Sequence, residues 1–334
     1  MKAMISIGKF CNLLTLSLAV VLISIPAIAE SCSTGADLDA QTRSSLETTA
    51  RSVYGMAAKG DVFGLKSNSV PSLANNFASI EQAVVDNKAS LGEGQGTLRA
   101  VYLLDASSGT GTIARAEFFC GIFNSADRTG FVLNNLPAGK YAVAILESHG
   151  KTPVTLSLVL QVMNSAWKIG GFYVRQASAN GHDGNWYWQQ AKQYASKGQK
   201  HNAFFYYLEA SELLHPVPFI TDPTLDKLYD EIQAATPSDV PLNGPVSISG
   251  SDGKSYQLTS VATVPAQDGL SIVLRQKVPD ASDNTAAFTA NMGLIKAAAA
   301  KWPEIRDGFS SVVARAQDAQ GHDYGSLLNM KDIK

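Results

Sequence analysis

A chain of 334 residues that is 45% hydrophobic and 17% charged holds enough apolar material for two ordinary cores. That excludes intrinsic disorder and a membrane bundle. A formal net charge of -2, with no clustered basic excess, removes the electrostatic case for a nucleic-acid partner or an anionic membrane surface. No catalytic motif is present, and neither a metal nor a cofactor is expected.

The N-terminus carries Lys2 and Lys9, an apolar run from Leu13 to Ile25, and then Pro26-Ala27-Ile28-Ala29. Small Ala27 and Ala29 suit a signal peptidase site, so residues 1–29 read as a signal peptide and the mature chain should begin at Glu30. The product is then exported, periplasmic or secreted, with no membrane span left after cleavage. A retained anchor is the alternative, although the run is shorter than the ~20 residues a span needs. Attachment of lipid at Cys32 is a further one, with Glu30 standing where such a signal prefers a small or apolar residue. Cleavage leaves Cys32 and Cys120 in an oxidising compartment, where a disulfide would close a loop of about 90 residues. Two unpaired thiols, with Cys120 buried as a small hydrophobe, are the other reading.

Leu38, Leu46, Ala50, Val53, Tyr54 and Ala57 recur at helical spacing and predict an amphipathic helix that stops near Gly60. A short helical piece follows from Asp61, and Leu73 to Asp86 predict a third. From Thr97 the period becomes that of strands, in six runs separated by Gly, Asn, Ser and Asp turns. Asn164-Ser165 reads as the hairpin between the last two. Pro137-Ala138-Gly139 reads as another, in a stretch resembling a turn of small extracellular β-sandwich modules. Helices followed by an antiparallel meander that curls around them make an α+β unit over residues 30–178.

The stretch GDVFGLKSNSVP and the closing pair LSLVLQVMNSAWKIGGFYV, with Trp167-Lys168-Ile169, Phe172 and Tyr173, resemble the cone-shaped nuclear transport factor two-like fold over residues 38–176. The resemblance implies a pocket between curved sheet and helices, used in that family for ligands, for isomerase or dehydratase chemistry, or for dimerisation. Tyr54, Tyr102, Glu117 and Tyr173 are the candidates to face such a pocket. Glu117 lies in a strand apolar on both faces, so it reads either as a general base or as a hydrated rim carboxylate. Residues 38–148 hold no histidine, which argues against a His-Asp pair there.

Between Asn185 and His215, Ala191, Tyr194, Gly198, Ala203, Tyr207, Ala210 and Pro216 fall nearly where a tetratricopeptide repeat places its small, aromatic, turn and terminating residues. Small Ala191 and Ala203 allow two antiparallel helices to approach, Tyr194 and Tyr207 fill the gaps beside them, and Gly198 permits the turn. A peptide-binding array needs about three repeats and this chain has one, so a connector over residues 184–236 is expected. Tyr194, Tyr207 and the Trp186-Tyr187-Trp188 cluster should be covered by a further helix over 222–235, capped by Asp222, or by a flanking domain.

Thr236 to Pro245 reads as an extended linker. Beyond it, three strands with Asp252-Gly253 and Asp268-Gly269 turns, a helix ending at Pro303 and one or two more strands predict a two-layer α/β domain over residues 245–334. Gly-His-Asp occurs at both 181–183 and 321–323, and each copy reads as a turn rather than as part of a metal site. The expected function is that of a non-catalytic binding or interaction protein of a bacterial-type cell envelope, its partner another envelope protein or a small apolar ligand. The alternative is a cone-fold enzyme of isomerase, dehydratase or hydrolase type acting on a small apolar molecule.

Overall fold

The computed structural model describes residues 30–334 apart from 95, 123 and 124, so the expected signal peptide lies outside the described residues. The chain is α+β. A short strand, β1 (Ser31–Thr34), precedes α1 (Ala40–Lys59), α2 (Val62–Ser67), α3 (Pro71–Ala74) and α4 (Ala78–Gly92). Asp39 starts α1 by accepting the Thr42 N–H at 2.9 Å, and Gly60, at φ 73°, ends it in the left-handed conformation that a side chain would strain. The single helix expected over 73–86 is instead two. The Asn76 amide bonds back to the Ser72 carbonyl, a local alternative to the helical ladder that separates α3 from α4.

Six strands follow: β2 (Thr97–Asp105), β3 (Thr112–Cys120), β4 (Thr129–Pro137), β5 (Lys140–Glu147), β6 (Val154–Met163) and β7 (Ala166–Gln176). They do not form one meander. An antiparallel sheet has the order β1-β2-β5-β6-β7, while β3 and β4 pair in a second sheet. Pro137-Ala138-Gly139 is therefore no hairpin but the corner at which the chain passes between sheets, pinned by Ala138 N–H to Gly111 O and Gly139 N–H to Ala106 O. The physical reason lies in the apolar runs of β5 and β6, which need cover on both faces. On one face Ala142, Ala144, Leu146, Leu156, Leu158 and Leu160 meet Leu46, Ala50 and Val53 of α1 and Ile80 and Val84 of α4. On the other, Val143, Ile145 and Val159 meet Phe118 and Phe131 of the second sheet. The register shifts between Leu98 and Ala100 and between Val159 and Leu160, the mark of β-bulges, which locally increase a strand's twist.

The two sheets are also joined covalently. Cys32 of β1 and Cys120 of β3 form a disulfide with a Cα–Cα distance of 4.9 Å.

The chain then makes a small ladder of β8 (Ser178–Ala179) and β9 (His182–Asp183), followed by α5 (Gly184–Ser196), α6 (Lys200–Leu214), β10 (Ile220–Thr221) and α7 (Pro223–Ala235). Ala191 and Ala203 are fully buried between α5 and α6, and Gly198 turns at φ 75°. Cover comes from both predicted sources. Glu231 of α7 accepts the Trp188 Nε1–H at 2.7 Å and sits beside the Tyr207 hydroxyl, while Tyr194 packs edge-on to Tyr206, which meets Phe309.

The C-terminal sheet has the order β11 (Val246–Ser249), β12 (Ser255–Ala266), β13 (Gly269–Lys277), β14 (Ser311–Gln317) and β15 (Asp323–Asn329). Only β13 and β14 are parallel, because α8 (Asn284–Lys301) and the short α9 (Ile305–Gly308) cross over between them. Gln276 donates to Asn291 at 2.9 Å and Asn291 to Tyr324 O at 2.9 Å, which satisfies the polar groups buried under α8.

The helical segment does not hold two modules apart. Its aromatic residues and the apolar face of the C-terminal sheet share one core, with fully buried Trp302 among them. Toward the N-terminus, β10 pairs with β4, and Val217, Ile220 and Leu225 complete the core between the two sheets. The expected extended linker is likewise anchored. Val240 is buried, and Asp239 accepts from Trp302 Nε1 at 2.8 Å and lies 2.8 Å from His201 Nε2.

Candidate functional site

A cleft of about 580 Å³ opens where the N-terminal unit, α6 and the end of β12 meet. Helical spacing puts Glu209, Glu212 and Leu213 of α6 on one face of it. Strand alternation brings Tyr173 and Arg175 of β7 to another wall, and Thr263 and Pro265 of β12 close the third. The walls are held in place by contacts on either side. Asn180, at φ 51°, donates to Gly269 O at 2.6 Å and so ties the β8–β9 link to the β12–β13 hairpin.

Glu209 is the distinctive group. It is only 4% exposed, and its Oε2 accepts the Thr263 hydroxyl at 2.6 Å. No donor among the described residues reaches Oε1, and the residue lines the cleft. Burial pushes the carboxyl above the usual glutamate range; the Thr263 hydrogen bond opposes the shift and the Glu212 charge adds to it. The nearby cation is already engaged, since Arg175 pairs with Glu212 at 2.6 Å. Burial, reinforced by the Glu209 charge, also pushes the Tyr187 phenol up to about 12.

The four pocket candidates read from the sequence do not converge. Tyr54 is buried between α1 and α4 and donates to Leu91 O at 2.8 Å, and its ring edge borders a separate cleft lined by Gly55, Gly92 and Gly96. Tyr102 packs edge-on to Phe131 and lines a third cleft beside Arg43 and Arg99. Glu117 lies in the second sheet, half exposed, and pairs with Arg115. Tyr173 alone lines the cleft that holds Glu209, edge-on to Phe219, with burial raising its phenol. The space between α1, α4 and the five-stranded sheet is occupied by packed apolar side chains, Tyr54, Phe77 and Phe172 among them.

Sequence reasoning missed Glu209, yet a signal existed. It is the one acid inside AFFYYLEA, a stretch apolar around the whole helix, and such a helix is buried on all sides.

In both Gly-His-Asp copies the glycine takes a turn conformation. Gly181 has φ 77°, His182 stacks on Trp186 at 3.7 Å, and Asp183 caps α5 by accepting the Trp186 N–H. In the second copy Gly321 has φ 93° and Asp323 pairs with Arg315. Asp280, Asp318 and His322 lie close enough together to suggest cation ligands. Asp318, however, already accepts from the Ala281, Gln320 and His322 N–H groups and contacts His322 Nδ1. Burial opposes ionisation of Asp318, but those hydrogen bonds hold it well below the carboxylate range. They account for the cluster as loop architecture.

No helix among the described residues is long and apolar enough to cross a membrane. Comparison of the chain with protein-family models, curated proteins and solved structures finds no match.

Proposed function

We propose that this chain is an exported, non-catalytic binding protein of a bacterial-type cell envelope and that it holds a small ligand in the cleft beside Glu209. One observation carries the reading: an amphipathic cleft is lined by a glutamate that is only 4% exposed, and one of its two carboxylate oxygens has no donor among the described residues. A carboxyl largely withdrawn from water costs free energy to ionise unless it is paired, so one that lines a cleft with an oxygen lacking a protein donor marks a place for a partner. The Cys32–Cys120 disulfide supports export, because such bonds persist in oxidising compartments. Helices preceding an antiparallel sheet, with Ser69 bridging Ile169 of the closing strand, support the resemblance of the N-terminal unit to the nuclear transport factor two-like cone. A second reading, an enzyme of isomerase or dehydratase type, draws on the raised Glu209 carboxyl, a property shared by proton donors in active sites.

The test is thermal shift of the chain from Glu30 to Lys334 against small amphipathic molecules. Ala83→Trp, which obstructs the cleft from α4, serves as the control. Ligand-induced stabilisation that Ala83→Trp abolishes supports the binding reading. Stabilisation that survives it puts the site elsewhere, and chemical conversion of the ligand, followed by NMR, would favour the enzyme.

A further inference from the structure

We infer that the cleft takes a small organic cation, an ammonium group carried on an apolar body, with Glu209 as its counter-ion. The inference rests on the binding reading above and adds the chemical class of the ligand. Three features of the walls lead to it.

The first is the balance of charge. The cleft is lined by two carboxyl groups, Glu209 and Glu212, and one guanidinium, Arg175, which is committed to Glu212 at 2.6 Å. An anionic ligand would meet Glu209 with no free cation opposite it. A neutral ligand would leave the negative charge of Glu209 uncompensated, which is costly in a buried site. The second feature is directional: Thr263 donates to Oε2 at 2.6 Å, and Oε1, with no donor among the described residues, is left as an acceptor for an N–H donor. A charged donor makes the stronger hydrogen bond there. The third is the remaining wall, where Phe172, Tyr173, Val174, Leu213 and Pro265 present apolar and aromatic surface. That surface suits a hydrocarbon body, and the face of an aromatic ring attracts a cation. A bare metal ion fits less well, since hard cations take six or more oxygen ligands and two carboxyl groups supply too few. Because burial raises the Glu209 carboxyl, an arriving ammonium also favours the ionised form it needs.

Calorimetric titration of the chain from Glu30 to Lys334 at neutral pH, with the disulfide intact, tests the inference with three probes of similar shape: 2-phenylethylamine, 2-phenylethanol and phenylacetate. The amine should bind at least about tenfold more tightly than the alcohol, as expected for a hydrogen bond to a charged group, and phenylacetate should bind weakest. Glu209→Gln keeps the shape and removes the charge, so it should erase the preference for amine over alcohol. Equal affinity of the parent for amine and alcohol overturns the cationic class and leaves the cleft reading standing. An amine preference that survives Glu209→Gln overturns the role of Glu209. Failure of all three probes to bind counts against both readings. Should Glu209→Gln melt below the parent, Ala83→Trp takes its place, and amine binding that survives this obstruction overturns the assignment.

Discussion

Truncating Tyr207 asks whether the helical hairpin is core or binding groove. The side chain is 4% exposed, lies in the core shared with the C-terminal sheet, and has Glu231 of α7 beside its hydroxyl. Burial, helped by Glu231, pushes its phenol up to about 12, as expected of a ring shut away from water. A buried aromatic ring removes about 150–200 Å² from water, which at ~25 cal/mol per Å² is about 4–5 kcal/mol. Ring-to-alanine changes in cores cost about 3–5 kcal/mol, so about 4 kcal/mol is the expected loss for Tyr207→Ala. An unfolding entropy of about 2.1 cal/mol/K per residue over roughly 300 residues gives about 0.6 kcal/mol/K, hence a fall in Tm of about 6 °C if the chain melts as one unit. Scanning calorimetry reads this directly. Tyr207→Phe keeps the ring and should lose only about 1 kcal/mol. If Tyr207→Ala melts with the parent and instead loses a protein partner in pull-down, the hairpin is an interaction surface and the packing argument fails.

Two further outcomes follow from the bonding pattern. The disulfide spans a sequence separation of 88 residues, and chain entropy assigns such a cross-link about 4.6 kcal/mol, so urea titrations with and without reductant should separate by about that amount. Coincident curves would refute this. The second concerns Asp239 and Glu304, where burial opposes ionisation but hydrogen bonds from Trp302 and His201 to Asp239, and from His201 to Glu304, hold both carboxyls below their ordinary range. Because their folded values are depressed, their contribution is fully present above the ordinary carboxylate range and is lost as pH falls through that range toward the folded values. Asp239→Asn should therefore flatten the acid limb of stability measured between about pH 5 and pH 2. A limb that keeps its slope would place the titration elsewhere.

Local structure was the most legible part of the sequence. Asp222 at a helix start, Gly60 and Gly198 at turns, and the change of period at Thr97 each report a constraint confined to a few neighbouring residues. What stayed hidden depends on which surfaces meet. Nothing in β3 or β4 alone says that they leave the first sheet, although the doubly apolar runs of β5 and β6 required a second cover. The four pocket candidates were chosen on the premise of a hollow cone, and packed apolar side chains occupy that space. The cleft that does form depends on β7, α6 and β12, three elements from separate parts of the chain whose meeting no local pattern announces.

The pairing of β10 with β4 imposes an order on maturation. Cys120 is 1% exposed in the finished fold, inside a core that also contains Val217, Ile220 and Leu225. A chain appearing N-terminus first presents both cysteines roughly a hundred residues before those closing side chains arrive. Oxidation before they dock meets an accessible thiol; afterwards the same thiol is sealed from any enzyme that would pair it. The interval between the emergence of residue 120 and of residue 225 is thus a timed opportunity written into the connectivity. A circular permutant that began at α7 would invert the sequence of events and place Leu225 ahead of the cysteines it later covers.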